Sequence, residues 1–256
     1  MVFTLAVPQM KLIYKLIIIL LITLELSARA DSYRPLDHLW FGLRDLPDQQ
    51  NIIIFELGSF ATLIALGLDQ SVKDFFQGQN RLQGWEGVGN FWGSGIVSSG
   101  IGVGTLAFGL FFSKPHEVSS GKAHLEAFLM DILVVNALKY SVQRTRPDES
   151  DQLSFPSGHS SAAMTTAGSL MAMYGPKVGI PAIAMGSFTM LSRMASNKHH
   201  LSDTVFGATL GYILGRSYVK HHLEPETDNP GKNLSFFVLP YFEGQNEYGL
   251  YAKILF

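Results

Sequence analysis

Residues 139–159 read KYSVQRTRPDESDQLSFPSGH, and residues 192–203 read SRMASNKHHLSD. Three clusters stand inside them: Lys139-x6-Arg146-Pro147, Pro156-Ser157-Gly158-His159 and Ser192-Arg193-x5-His199-x3-Asp203. They gather Lys139, Arg146 and Arg193 as fixed cations, His159 and His199 as imidazoles, Asp203 as a carboxylate and Ser157-Gly158 as a tight turn. That inventory suits holding a phosphoryl group while a histidine attacks it, because guanidinium forks match phosphate oxygens and a neutral ring nitrogen is a nucleophile.

Each cluster taken alone has a plainer reading. Lys139 and Arg146 close a helical segment that Pro147 stops, and cations are favoured near any helix C-terminus. Arg144, beside them, reads as a solvated charge. Ser157 and His159 sit where a turn opens onto a small-residue run, so Ser157 is either an ordinary N-cap or part of an anion site at a helix N-terminus. His199 and Asp203 are four apart; on a helix the carboxylate would lie beside the ring and fix its tautomer. A surface ion pair, or a metal site of His199, His200 and Asp203, is the competing reading, although no third and fourth ligand of matched spacing is evident. His221-His222 reads as a solvated pair beyond the last helix.

Outward from the clusters the chain is helical. Apolar segments of helical length run over about 52–68, 94–112, 123–140, 160–174, 178–192 and 201–219. Gly and Pro punctuate them, and 69–93 and 113–122 read as linkers. In 123–140, Leu125, Phe128, Leu129, Ile132, Val135, Asn136 and Leu138 form a mostly apolar face that Glu126 and Asp131 interrupt. The segment from Gly93 to Phe112 has no charge and is rich in Gly and Ser, which lets helices approach closely. The expectation is an all-α bundle of six helices over 31–222, with a tail, 223–256, whose strands around Glu243-Gly244-Gln245-Asn246 read as a β-hairpin.

At the other end, Lys11 and Lys15 precede the uncharged run Leu16 to Leu24, and Ala28-Arg29-Ala30 follows. That is the layout of a signal peptide over residues 1–30, and it predicts export. Of the 256 residues none is cysteine, which excludes disulfides, thiol catalysis and Cys-ligated zinc. A net charge of −2 argues against a nucleic-acid binder.

Together, and in this order, the clusters resemble the three-part signature of the type 2 phosphatidic acid phosphatase (PAP2) superfamily, K-x6-R-P, P-S-G-H and S-R-x5-H-x3-D, with every position matched. The resemblance implies a metal-independent and cofactor-free phosphatase that cleaves a phosphomonoester or pyrophosphate, most naturally on a lipid. It implies His199 as nucleophile, Asp203 holding the other ring nitrogen, and His159 as acid and then base. Lys139, Arg146, Arg193, Ser157 and the Gly158 N–H would hold the phosphoryl oxygens. Phosphatidic acid, phosphatidylglycerol phosphate, undecaprenyl pyrophosphate and the phosphates of lipid A are candidate substrates, with a soluble phosphoester as the alternative. A vanadate-dependent haloperoxidase, which shares the oxyanion pocket, and a non-catalytic helical binding protein are the other readings. The resemblance also implies a six-span membrane bundle with its site on the outer face. Export of residue 31 makes that parity fail if every segment spans, so the expectation is an exported domain in the periplasm or against a membrane, with a multi-span protein as the alternative.

Overall fold

The computed structural model describes residues 46–78, 82, 84–223, 235–243 and 247–255. The signal-peptide reading of 1–30 and the start of the tail lie outside them. The described residues contain seven helices: α1 (Gln49–Gln77), α2 (Glu86–Trp92), α3 (Ile96–Phe111), α4 (Pro115–Val142), α5 (Gly158–Tyr174), α6 (Pro176–Ala195) and α7 (Leu201–Leu223). Strands β1 (Ser235–Glu243) and β2 (Glu247–Leu255) pair antiparallel, from Ser235 opposite Leu255 to Glu243 opposite Glu247.

The helices start and stop where backbone chemistry dictates. The Asp48 carboxylate caps α1, accepting from Asn51 N at 2.7 Å. Pro115 and Pro176 open α4 and α6, where a missing N–H costs nothing. Gln143, at φ 51°, closes α4 in the left-handed region.

The expected count of six misses α2, which falls in the stretch read as a linker, and α1 runs on to Gln77. The glycines there looked like turn residues, but two of them serve close packing. A Cβ on Gly89 would overlap the Ser192 side chain, and one on Gly93 would come within 2.6 Å of the His159 carbonyl oxygen. Without side chains at those points, α2 packs against α6 and abuts the start of α5.

From α3 to α7 the helices alternate in direction. Asp48, before α1, binds Arg216 and Lys220 near the end of α7. The other end of α1 meets the α4–α5 loop and the end of α6, through Lys73 Nζ on Pro147 O at 2.9 Å and Gln77 on Ala195 O at 3.2 Å. Residue 48 and the loop that carries Arg146 and Pro147 therefore lie at opposite ends of the bundle. The C-terminal ends of α4 and α6 and the N-terminal ends of α5 and α7 meet at the latter end.

Packing along the α5–α7 seam relies on small residues. Added Cβ atoms at Gly207, Gly211 and Gly215 of α7 would run into the backbone carbonyls of Ser157, Ser161 and Thr165. Around this seam the interior is small and hydroxyl-rich: Ser160, Ser161, Thr165, Thr166, Ala167 and Ser169 are buried. Large apolar side chains point outward instead, with Leu57, Phe60 and Leu63 of α1 about two-thirds exposed (65%, 64% and 66%) and Phe111 of α3 at 82%. Val178, Ile180 and Leu191 of α6 continue the surface. Water would penalise this inversion, and hydrocarbon accommodates it. Among the described residues two helices, α1 and α6, are long and apolar enough to cross a membrane, and α2 with α3, bent by 45°, makes up to three.

Glu126 and Asp131, which interrupt the apolar face of α4, are both buried there and partnered. Glu126 accepts from His222 Nε2 at 2.8 Å, and Asp131 accepts from the Ser161 hydroxyl. His222 therefore belongs to α7 and packs inward, which corrects its reading as part of a solvated pair beyond the last helix.

Candidate active site

Lys139 lies in the last turn of α4 and Arg146 in the loop that follows; Ser157 is the N-cap of α5, with Gly158 and His159 in its first turn. Arg193 lies in the last turn of α6, His199 just before α7, and Asp203 in the first turn of α7. Four helix ends thus deliver all eight residues to one end of the bundle.

The cations surround the two imidazoles. Lys139 Nζ donates to Leu153 O at 2.5 Å, and its Cε lies 3.9 Å from where a Cβ would sit on Gly158. Arg146 is braced by Asp151 (Nε to Oδ1, 2.6 Å) and reaches to 3.5 Å from His199 Nε2. Arg193 is held by Asn90 Oδ1 at 2.8 Å, while its buried Nε has no hydrogen-bond partner among the described residues. Burial, reinforced by Arg193, Arg146 and Lys139, pushes His159 down to about 3. Burial and the same three cations hold His199 well below its ordinary range, against the Ser154 carbonyl bond that favours its charge. Both rings are neutral at pH 7, and one set of positive charges bears on both.

Ser157 is fully buried, and its hydroxyl oxygen accepts from Ser160 N at 3.4 Å and Ser160 Oγ at 3.0 Å. Its backbone N–H donates to the Asp203 carbonyl at 3.0 Å, which ties the start of α5 to the start of α7. With Ser160 N capped by the Ser157 hydroxyl, the Gly158 and His159 N–H groups at the start of α5 have no intrahelical acceptor, an arrangement that suits an anion.

The His199–Asp203 pairing differs from the expectation. Because α7 starts at Leu201, the two residues do not share a helix, and spacing of four does not stack them. His199 Nδ1 donates to Ser154 O at 2.7 Å, and Asp203 Oδ2 stands 4.0 Å from that nitrogen. A carbonyl can only accept, so Nδ1 carries the proton and Nε2, on the Arg146 side, keeps its lone pair. Asp203 acts one step back, its Oδ2 accepting from Ser154 Oγ at 2.5 Å and from His200 N at 2.9 Å. The second of these is the return half of a helix capping box.

Arg144 is not a solvated charge. Its Nη1 donates to Asp203 Oδ1 and its Nη2 to Asp69 Oδ2, each at 2.7 Å. Sequence reasoning missed Arg144, Asp69, Asn90 and Ser154. None stands at a diagnostic spacing; only the packing of α1 and α2 onto the site end brings Asp69 and Asn90 there.

The PAP2 superfamily model matches residues 121–224. Through this segment the chain is similar to the PAP2 superfamily. All eight candidate site residues fall within the match, whereas α1 to α3, with Asp69 and Asn90, lie outside it. A lipid A 1-phosphatase of Porphyromonas gingivalis is 30% identical over 161 residues, covering 62% of this chain and 30% of the relative. The matched region thus spans less than a third of the relative's length. No solved structure matches the chain.

Proposed function

We propose that this PAP2 protein is a metal-independent lipid phosphatase that forms a phosphohistidine on His199. The observation that carries the reading is the convergence of Lys139, Arg146 and Arg193 on two neutral imidazoles, one of them with its tautomer set by Ser154. The His199 Nε2 lone pair forms the N–P bond as the P–O bond to the leaving group breaks, and His159 donates its proton to the departing oxygen. His159 then takes a proton from water, whose oxygen bonds phosphorus as the N–P bond breaks and phosphate leaves. Burial and the three cations keep His159 neutral; the charge of a phosphate anion offsets those cations and restores its proton. Arg146, Arg193 and Lys139 stabilise charge on the equatorial oxygens, aided by Ser157 and the Gly158 N–H. Acid assistance of this kind contributes about 10²–10⁴-fold.

The relative's name directs the choice of substrate to lipid A and its 1-phosphate. The outward apolar face of α1, α3 and α6 supports a membrane-embedded protein and hence a lipid substrate. The test is phosphate release from lipid A by purified protein in detergent, beside phosphatidic acid, phosphatidylglycerol phosphate, undecaprenyl pyrophosphate and para-nitrophenyl phosphate. Lipid A is expected to be cleaved fastest, with turnover insensitive to EDTA and inhibited by vanadate. His199→Ala abolishes turnover and the acid-labile phosphoenzyme; His159→Ala still forms it slowly from para-nitrophenyl phosphate. EDTA inhibition that Mg²⁺ reverses, or full activity in His199→Ala, overturns the mechanism.

A further inference from the structure

We propose that Asp69 and Arg144 are positioning residues for the nucleophile, holding Asp203 and Ser154 so that His199 keeps its reactive tautomer. The inference rests on the phosphohistidine reading and adds a part of α1 to it.

The chain of contacts is continuous. Asp69 Oδ2 accepts from Arg144 Nη2 at 2.7 Å; Arg144 Nη1 donates to Asp203 Oδ1 at 2.7 Å. Asp203 Oδ2 accepts from Ser154 Oγ at 2.5 Å, and Ser154 O accepts from His199 Nδ1 at 2.7 Å. Arg144 grips Ser154 a second time, its own carbonyl accepting Ser154 N at 2.9 Å. Both carboxylates are buried, so neither is free to swing into water. Two carboxylates and one guanidinium leave net negative charge behind Ser154, with Asp203 two hydrogen bonds from His199. That charge opposes the pull of Lys139, Arg146 and Arg193 and favours the positively charged phosphoimidazole once it forms. Without Asp69, Arg144 would be balanced by Asp203 alone, and the field at His199 would lose its negative component.

A competing role is plain capping. Asp69 also accepts from Ser202 N (Oδ1, 2.9 Å) and Ser202 Oγ (Oδ2, 2.7 Å), so it closes the N-terminus of α7 from a neighbouring helix. The two roles separate kinetically. Para-nitrophenyl phosphate is the probe, with inorganic phosphate as a competitive inhibitor that reports the cation pocket. Asp69→Asn is expected to lower kcat and single-turnover phosphohistidine formation about 10–100-fold, as misplaced catalytic groups do. KM and the phosphate inhibition constant stay within about threefold, and Asp69→Glu recovers part of kcat. Arg144→Lys, which keeps the charge but not the fork, loses kcat likewise and carries the test if Asp69→Asn does not fold. Asp48→Asn, which removes a comparable cap and ion pair at the far end, lowers the melting temperature with kcat unchanged. Wild-type kcat in folded Asp69→Asn or Arg144→Lys overturns the proposal. An inactive wild-type enzyme would instead sink the phosphatase reading itself.

Discussion

His159 and His199 are buried among cations, and this makes folding pH-dependent with a definite sign. His159 is pushed from an ordinary 6.5 down to about 3, and His199 is also held well below 6.5. Between those limits the unfolded chain binds protons that the folded chain does not. Stability is therefore fully present above about pH 6.5 and is lost as pH falls toward the folded values, by up to about 1.4 kcal/mol per pH unit for each ring. Thermal unfolding in detergent and phosphate-free buffer, followed from pH 7 to pH 5, should show a falling midpoint for the wild type and a shallower fall for His159→Gln. Equal slopes for the two proteins would contradict the burial of His159 among the cations. Inorganic phosphate should flatten the wild-type slope, because the anion offsets the charges that keep the rings neutral.

At the scale of elements, the contact between α5 and α7 sets the site's geometry. α7 supplies Asp203, α5 supplies Ser157 and His159, and glycine lets the two backbones touch. Gly211→Ala places a methyl group on the Ser161 carbonyl. The expected cost is about 1–3 kcal/mol of overpacking, with a loss of turnover as the start of α5 shifts. Gly100→Ala on α3 meets nothing within 4 Å and should be neutral or stabilising by up to about 1 kcal/mol. Melting temperatures of the two variants check this, and a Gly211→Ala protein as stable and active as Gly100→Ala would refute the close-approach argument. The same close approach explains why α2 was illegible. Gly89 and Gly93 carry the local signature of a turn, and only the presence of α6 and His159 beneath them shows why a side chain is excluded.

For the whole molecule, the alternation of helices fixes which parts share a side. Residue 48 lies at the end opposite the site. A spanning α1 therefore puts the start of α1 and the catalytic face on different sides of the bilayer. An exported chain lying against the membrane puts both on one side. About 20 apolar residues cross the hydrocarbon, and α1, with 29 residues and an outward apolar face, exceeds that. The absence of cysteine makes the test clean. Gln49→Cys and Gln152→Cys, both exposed positions at opposite ends, should react with a membrane-impermeant maleimide from opposite sides of sealed vesicles. The protein should also stay in the pellet on alkaline carbonate extraction. Labelling from one side, with release by carbonate, would favour the exported peripheral domain.

The sequence by itself determined the helical class, the eight residues of the candidate site and the chemistry they suit. Such information is local: a Pro stop, a Ser-Gly turn and fixed spacings each report on their own neighbourhood. Tertiary structure alone decided that the Ser154 carbonyl, and not the Asp203 carboxylate, accepts the His199 Nδ1–H hydrogen bond. It also decided that Arg144 is clamped between Asp69 and Asp203, and that the large apolar side chains face outward. Those outcomes depend on which helix ends meet and which faces find partners, and a hydrogen bond between residues 75 positions apart leaves no period in the chain.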